Sequence, residues 1–379
     1  MKNYLQYIIG YMEDKKLEGQ IKSLGKIKYD LPLIKSFVLE IENSKAKILH
    51  SLCNSELIHE NTNITAQMDT ARKSVNADFV NSSGYTGRGI TIAILDTGIC
   101  PLKDFTFPRN RIIAFKDFVN NKTNPYDDNG HGTHVSGIAC GSGFLSNGKY
   151  MGIAPESNLV SLKILDENGK GNSADVLAGL QWILDNKNRY NIRIINLSIG
   201  TKDEGGSDPL IKAVENLWES GIIVVIAAGN NGPSKSSVTS PGISRKVITV
   251  GASDDHKTVN IWGDSLVNFS GRGPTSECII KPDVIAPGSN IISCLSKNIK
   301  NDEQKQRLKN VDSNYTIMSG TSMSTPIITG AISLLLQRNP KLLPNQVKLK
   351  LKDSTLNLNC SPNQQGWGLI DVKKFVMGE

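Results

Sequence analysis

Between residues 90 and 286 short apolar runs, several ending in a polar or glycine-rich turn, alternate with helical stretches. The runs are residues 90–95, 159–165, 192–197, 222–228, 247–250 and 284–286. The runs are predominantly apolar, so they read as strands buried on both faces, as in a parallel sheet. Helical stretches at 174–185, 208–220 and after Ser322 supply the covering layers. The expected fold is therefore α/β, three-layered, with a central, mostly parallel sheet between helices. Ligands of such sheets bind beyond the carboxyl ends of the strands. Polar motifs stand at those ends: Asp96 in Asp-Thr-Gly, Ser198 in Ser-Ile-Gly, and Asn230 after Ala-Ala-Gly.

Residues 1–67 lack this pattern. A strand is expected over 33–41 and a helix over 44–52, with Ala46, Ile48, Leu49 and Leu52 available for one face. A second strand is expected over 57–64. This is a small α+β unit with a marginal core, better stabilised against a larger partner. A polar link over 65–73 separates it from the rest, giving expected domains of 1–67 and 68–379.

Composition narrows the function. A chain that is 39% hydrophobic and 21% charged folds for most of its length. Its net charge of +7 is spread along the chain, with no Lys/Arg block beside interleaved aromatics, so no nucleic-acid partner is expected. No run approaches eighteen unbroken apolar residues, so no membrane association is expected. The opening MKNYLQYIIGYMEDKK lacks a signal-peptide apolar region, and the expected location is cytoplasmic. The six cysteines (Cys53, Cys100, Cys140, Cys278, Cys294, Cys360) are far apart with no C-x-x-C spacing. They read as free thiols rather than a zinc site or a disulfide set.

Four motifs carry chemistry. Ser322 lies in SGTSMSTP, residues 319–326, ahead of the apolar run 327–336. Gly-Thr-Ser reads as a tight turn, with Pro326 near the start of a buried helix. Such a serine is either an N-cap or an oxygen held rigidly at the positive end of a helix. His131 lies between two glycines in NGHGTHV, residues 129–135. The His131/His134 spacing lacks the glutamate of a metalloprotease motif, so His131 is read as pointing into a cleft and His134 as structural. Asp96 either orients an imidazole or closes a turn. Asn230 either donates to an oxyanion or sits in a turn. Each motif is weak alone. In the order Asp, His, Asn, Ser they supply an orienting carboxylate, a base, an oxyanion donor and a nucleophile.

With these flanks, residues from about 85 to 375 resemble the subtilisin-like serine proteases (subtilases, peptidase family S8). The matching stretches are TIAILDTGI, NGHGTHVSGIAC, INLSIG, AAGNNG and SGTSMSTP. The resemblance is closest in character to signal-less, cytoplasmic members. It implies that Asp96 orients the base, His131 is the base, and Ser322 is the nucleophile. Asn230 and the Ser322 N–H would form the oxyanion hole. Protein or peptide substrate would bind as an extended strand between Gly169-Lys170-Gly171 and Ser198-Ile199-Gly200. Ala227-Ala228-Gly229 and Ser240-Pro241-Gly242 would wall the main specificity pocket. Their small size implies room for a large apolar side chain, and the neutral Asn231 demands no basic one.

The N-terminal unit resembles the inhibitor-type propeptide of these proteases. A self-processing zymogen is implied, with the chain's own N-terminal domain as intramolecular inhibitor and a cut between Asn61 and Arg72. The alternative is a permanent subdomain. No cofactor is expected for catalysis. The family's usual calcium loop corresponds to residues 141–150, which hold no carboxylate. Asp104 matches the usual Asp there, but its partners look lost; structural calcium elsewhere stays open. Met323, beside the nucleophile, is an expected oxidation liability. Two other functions compete. One is a catalytically silent subtilase-fold protein that binds peptides or regulates a partner. The other is an α/β-hydrolase, which would need G-x-S-x-G and the order Ser, Asp, His; Gly320-Thr321-Ser322-Met323-Ser324 lacks the second glycine.

Overall fold

The computed structural model describes residues 4–31, 35–52, 58–60, 68–201, 208–256, 258–259 and 264–378. The chain divides into two compact units, Met1–Thr65 and Ala66–Glu379. In the smaller unit, strands β1 (Tyr4–Gly10), β2 (Lys26–Leu31), β3 (Ser36–Glu42) and β4 (Ile58–Glu60) form a sheet in the order β2-β3-β1-β4. Its pairings are antiparallel. Helices Lys15–Lys22 and Ala46–Leu52 accompany it. Asp14 caps the first by accepting from the N–H groups of Lys16 and Leu17. The sequence reading missed β1, the first helix and β2. It also put Ile48 on the inner face of the second helix. Leu49 is fully buried there, whereas Ile48 is exposed. Leu33, Ile34, Leu57 and residues 61–64 of the expected strands lie outside the described residues.

The larger unit is built on a ten-stranded sheet. Its strands are β5 (Thr91–Asp96), β6 (Ile112–Asp117), β7 (Asn158–Lys163), β8 (Ile192–Leu197), β9 (Ile223–Ala227), β10 (Ile248–Asp254), β11 (Ser265–Leu266), β12 (Val284–Pro287), β16 (Thr355–Leu356) and β17 (Leu369–Ile370). The order is β16-β17-β12-β10-β9-β8-β5-β7-β6, with β11 paired to β10. Every pairing from β6 to β17 is parallel; β11 and β16 join antiparallel. All residues of β5 and β9 are buried, the signature the continuous apolar runs predict. Helix Thr321–Arg338 packs against helix His131–Cys140 and against β8, β9, β10 and β12. Helices Ser173–Asn186 and Pro209–Glu219 pack on each other and on β5 and β9. A second, antiparallel sheet has the order β13-β15-β14 (Ile291–Cys294, Tyr315–Met318, Lys309–Asn310).

The helix after the serine motif begins at Thr321, so Pro326 lies inside it rather than at its start. Proline has no N–H for the carbonyl four residues back. That carbonyl belongs to Ser322, and it accepts from Ser198 Oγ at 3.3 Å instead. Among the described residues no helix is long and apolar enough to cross a membrane. The five described cysteines are free thiols.

Candidate active site

Asp96 is the last residue of β5 and is completely buried. Its Oδ1 accepts from the Thr97 N–H at 2.7 Å and lies 2.8 Å from His131 Nδ1. An ionised carboxylate can only accept, so Nδ1 carries the proton and Nε2 is left as the base. His131 opens helix His131–Cys140 after Gly130 at φ 101°. A Cβ at Gly132 would collide with Gly98 O and stand 3.2 Å from the Asp96 Cβ. The glycine therefore permits the close approach that brings the ring to the carboxylate. Burial opposes a charge on His131, but the Asp96 carboxylate and its hydrogen bond outweigh it, holding the imidazole pKa above its ordinary value.

His134 is one turn further on and fully buried. Its Nε2–H donates to Ile291 O and Thr316 O at 3.1 and 3.2 Å. Burial, then the neighbouring His131, depresses its pKa to about 3. It is neutral and ties the helix to β13 and β15.

Ser322 is the second residue of its helix. Its Oγ donates to Ser198 O at 3.3 Å, the counterpart of the Ser198-to-Ser322 bond above. The hydroxyl is turned to Ser198 and not to His131. Asn196 Nδ2 donates to Ser198 Oγ at 3.0 Å, and Thr329 Oγ1 donates to Asn196 Oδ1 at 2.9 Å. Helix and strand end are thereby fixed to each other. Ser322, His131 and Asn230 line one cavity of about 370 Å³. Asn230 Oδ1 accepts from Thr321 N–H at 2.9 Å and from Thr321 Oγ1 at 3.1 Å. With the oxygen so held, the amide NH₂ is the end left to donate. A base, an oriented hydroxyl and a preset donor around one space suit acyl transfer.

A second cavity, of about 900 Å³, adjoins His131. Gly169, Lys170 and Gly171 line it, as do Ser198, Ile199, Gly200, Ser240 and Pro241. Asp166 Oδ1 shapes the first edge by accepting from the N–H groups of Asn168 and Lys170. Thr201 pairs with Ser240, joining the second edge to one expected pocket wall. Ala227, Ala228, Gly229 and Gly242 do not line this cavity; Ala227 and Ala228 are buried. The expectation of an open pocket between small walls is corrected by Thr239. Its side chain, 7% exposed, stands where a Cβ on Gly200 or on Gly229 would lie. The small walls make room for Thr239.

Several residues that sequence reasoning passed over position the site. Asp127 is fully buried. Its Oδ1 accepts from Thr97 Oγ1, Asn129 N–H and Gly130 N–H at 2.9, 3.1 and 2.8 Å. Its Oδ2 accepts from Thr133 N–H and Oγ1 at 2.8 and 2.6 Å. It thus caps the helix that starts with His131, and an acid just before a helix start is a readable signal. Behind it, the buried Lys163 donates to Asp128 Oδ1, Thr97 O and Leu165 O at 2.7, 2.8 and 2.8 Å.

Near residues 141–150, Asp104 Oδ1 accepts from Leu145 N–H at 2.8 Å and Oδ2 from Tyr315 OH at 2.6 Å. The buried Arg111 donates to Cys140 O, Ser157 O and Asp104 O. Met323 is 1% exposed and lines the smaller cavity.

Residues 87–368 match the subtilase family (Peptidase_S8). Serine protease AprX of Bacillus subtilis (strain 168) is 42% identical over 375 residues, covering 95% of this chain and 83% of that protein. Subtilisin DY of Bacillus licheniformis is 32% identical over 301 residues, covering 79% and 95%. The solved structure of the Clostridium perfringens CspB protease shares the fold, with a TM-score of 0.69 over 82% of this chain and 99% of that one at 21% identity. A cold-adapted subtilisin-like serine proteinase gives 0.58 over 76% and 88% at 30% identity. The chain therefore belongs to the subtilase family and is a subtilisin-like serine endopeptidase.

Proposed function

We propose that this protease cleaves peptide bonds through Asp96, His131 and Ser322 by way of an acyl-enzyme. The observation that carries this is the 2.8 Å Asp96–His131 pair beside the cavity that Ser322 and Asn230 share. Rotation about the Ser322 Cα–Cβ bond takes Oγ from Ser198 O toward His131, whose free Nε2 removes the proton as Oγ attacks the carbonyl carbon. Hydrogen bonds in a resting site are commonly misaligned in this way before substrate enters. The oxyanion then meets Asn230 Nδ2 and the Ser322 N–H, which has no partner among the described residues. His131 next gives its proton to the leaving amine, and water releases the acyl group by the reverse steps.

The substrate lies as an extended strand between Gly169–Gly171 and Ser198–Gly200, and Thr239 favours a modest side chain before the cut. The N-terminal unit acts as an intramolecular inhibitor that the enzyme removes from itself. Asp104, the candidate calcium ligand of this region, is engaged by Leu145 N–H and Tyr315 OH, so no calcium is bound at the 141–150 loop. Intact-mass analysis of the wild type and Ser322→Ala tests the whole reading. The wild type should hydrolyse a peptide anilide and lose its N-terminal unit; the variant should do neither. A variant that still loses the unit would refute self-processing, and one that still hydrolyses peptide would refute Ser322.

A further inference from the structure

The chain between β13 and β14 runs beside the cleft. It contains the short helix Asp302–Arg307, and it is tied to the loop before His131 and to the start of the first substrate edge. Lys300 N–H donates to Asp128 O at 2.9 Å, and Asn301 Nδ2 donates to Asn168 Oδ1 at 2.9 Å. Asp128 belongs to the loop that carries His131, and Asn168 adjoins the Gly169 edge. The closest tie is Gln304. Its Nε2 donates to Asn129 O and Oδ1 at 2.7 and 3.0 Å, and Asn129 Nδ2 donates back to Gln304 Oε1 at 2.9 Å. Asn129 Oδ1 in turn accepts the His131 N–H at 3.1 Å. Three hydrogen bonds thus fix the Gln304 amide to Asn129, two residues before His131. Gln304 also lines both cavities, the one with the substrate edges and the one with Ser322.

Successive side chains of an extended substrate point to opposite sides. If the side chain at the attacked carbonyl turns toward Ser240 and Pro241, the one before it turns toward His131. The space there is bounded by the ring and by Gln304. We infer that Gln304 is a specificity-determining residue: it roofs the subsite beside His131 and selects a small side chain at the position before the attacked residue. This rests on the triad reading above.

The test uses the full chain and two peptide anilides identical except for Ala or Phe at that position. The wild type should favour the Ala peptide by at least about tenfold in kcat/KM. Gln304→Ala should narrow the ratio to within about threefold, chiefly through a lower KM for the Phe peptide. Gln304→Met keeps the bulk but loses the hydrogen bonds to Asn129, and should keep a preference for the Ala peptide at a ratio between those of the wild type and Gln304→Ala. Equal wild-type rates on the two peptides would overturn the inference alone. So would equal slowing of both peptides by Gln304→Ala and Gln304→Met, because Gln304 would then act through Asn129 on the histidine loop. A wild type that cleaves neither peptide and resists fluorophosphonate would overturn the triad reading, and this inference with it.

Discussion

The two units of this chain bury their cores differently. The smaller rests on a four-stranded antiparallel sheet whose core is Tyr7, Ile9, Met12, Ile21, Phe37, Leu39, Ile41, Leu49 and Ile58. Its buried carboxylate, Glu18, sits at the rim with Lys15 and Lys22. The larger has a parallel sheet covered on both faces, and it encloses Asp96, Asp127 and the Lys163–Asp128 pair at 1% exposure or less. Burying charge is costly and needs a surplus of apolar burial around it. The larger unit has that surplus, so it can hold preset polar groups in a dry site. The smaller unit keeps its charged groups at the rim.

Substitutions can break this contrast. The largest effect should come from Asp96→Asn, which leaves the carboxylate's shape but favours the wrong imidazole tautomer. A loss of about 10⁴ in kcat is expected, the scale known for serine-protease triads, measured with a peptide anilide. Next is Asp128→Ala, which strands Lys163 as a buried unpaired charge; about 3–5 kcal/mol of the larger unit's stability should go, read by denaturant melts. In the Ser322→Ala background, which keeps the smaller unit attached, Leu39→Ala removes core atoms from that unit for about 2–5 kcal/mol. Limited proteolysis should then cut within residues 1–65 and spare the rest, since a core that small leaves little margin. If both units melt together in either variant, the contrast fails.

Acid offers a gentler probe. Hydrogen bonds from Lys22, Met12 N–H and Lys15 lower the Glu18 pKa from 4.5 to about 2. That contribution is present above pH 4.5 and is lost as pH falls toward 2. Burial lowers the His134 pKa from 6.5 to about 3, so the neutral ring's contribution is present above pH 6.5 and is lost as pH falls toward 3. On these two groups the larger unit starts to weaken at a higher pH than the smaller. Tryptophan emission of the Ser322→Ala chain would follow the larger unit alone, because all four tryptophans lie beyond residue 65, and proteolysis within residues 1–65 would follow the smaller. Activity should fall earlier still, since the raised His131 pKa puts the acid limb of kcat/KM above 6.5.

The same contrast explains what the sequence made legible. Continuous apolar runs mark strands buried on both faces, so β5, β8 and β9 and the polar residues at their ends could be read directly. Edge strand β6 has mixed burial and gave no such signal. In the smaller unit, β1 reads Tyr-Leu-Gln-Tyr-Ile-Ile-Gly. Leu5, Tyr7 and Ile9 share the inward face, but Tyr4 and Ile8 on the other face blur the alternation. The supports of the site were illegible for another reason. Lys163 meets Asp128, Tyr315 meets Asp104, and Gln304 meets Asn129 across gaps of 35, 211 and 175 residues. No local pattern announces such pairs. Thr239 was missed likewise, because glycines at 200 and 229 look like open space until the residue between them is placed.

The central claim is that Ser322, one side-chain rotation from His131, is the nucleophile of the larger unit. The most direct measurement is peptide mapping of the chain after reaction with a fluorophosphonate, across a pH series. One adduct should form, on the peptide carrying Ser322, at a rate that rises with pH through the His131 ionisation, and Ser322→Ala should abolish it. An adduct elsewhere, or none on a folded, self-trimmed chain, would contradict the account.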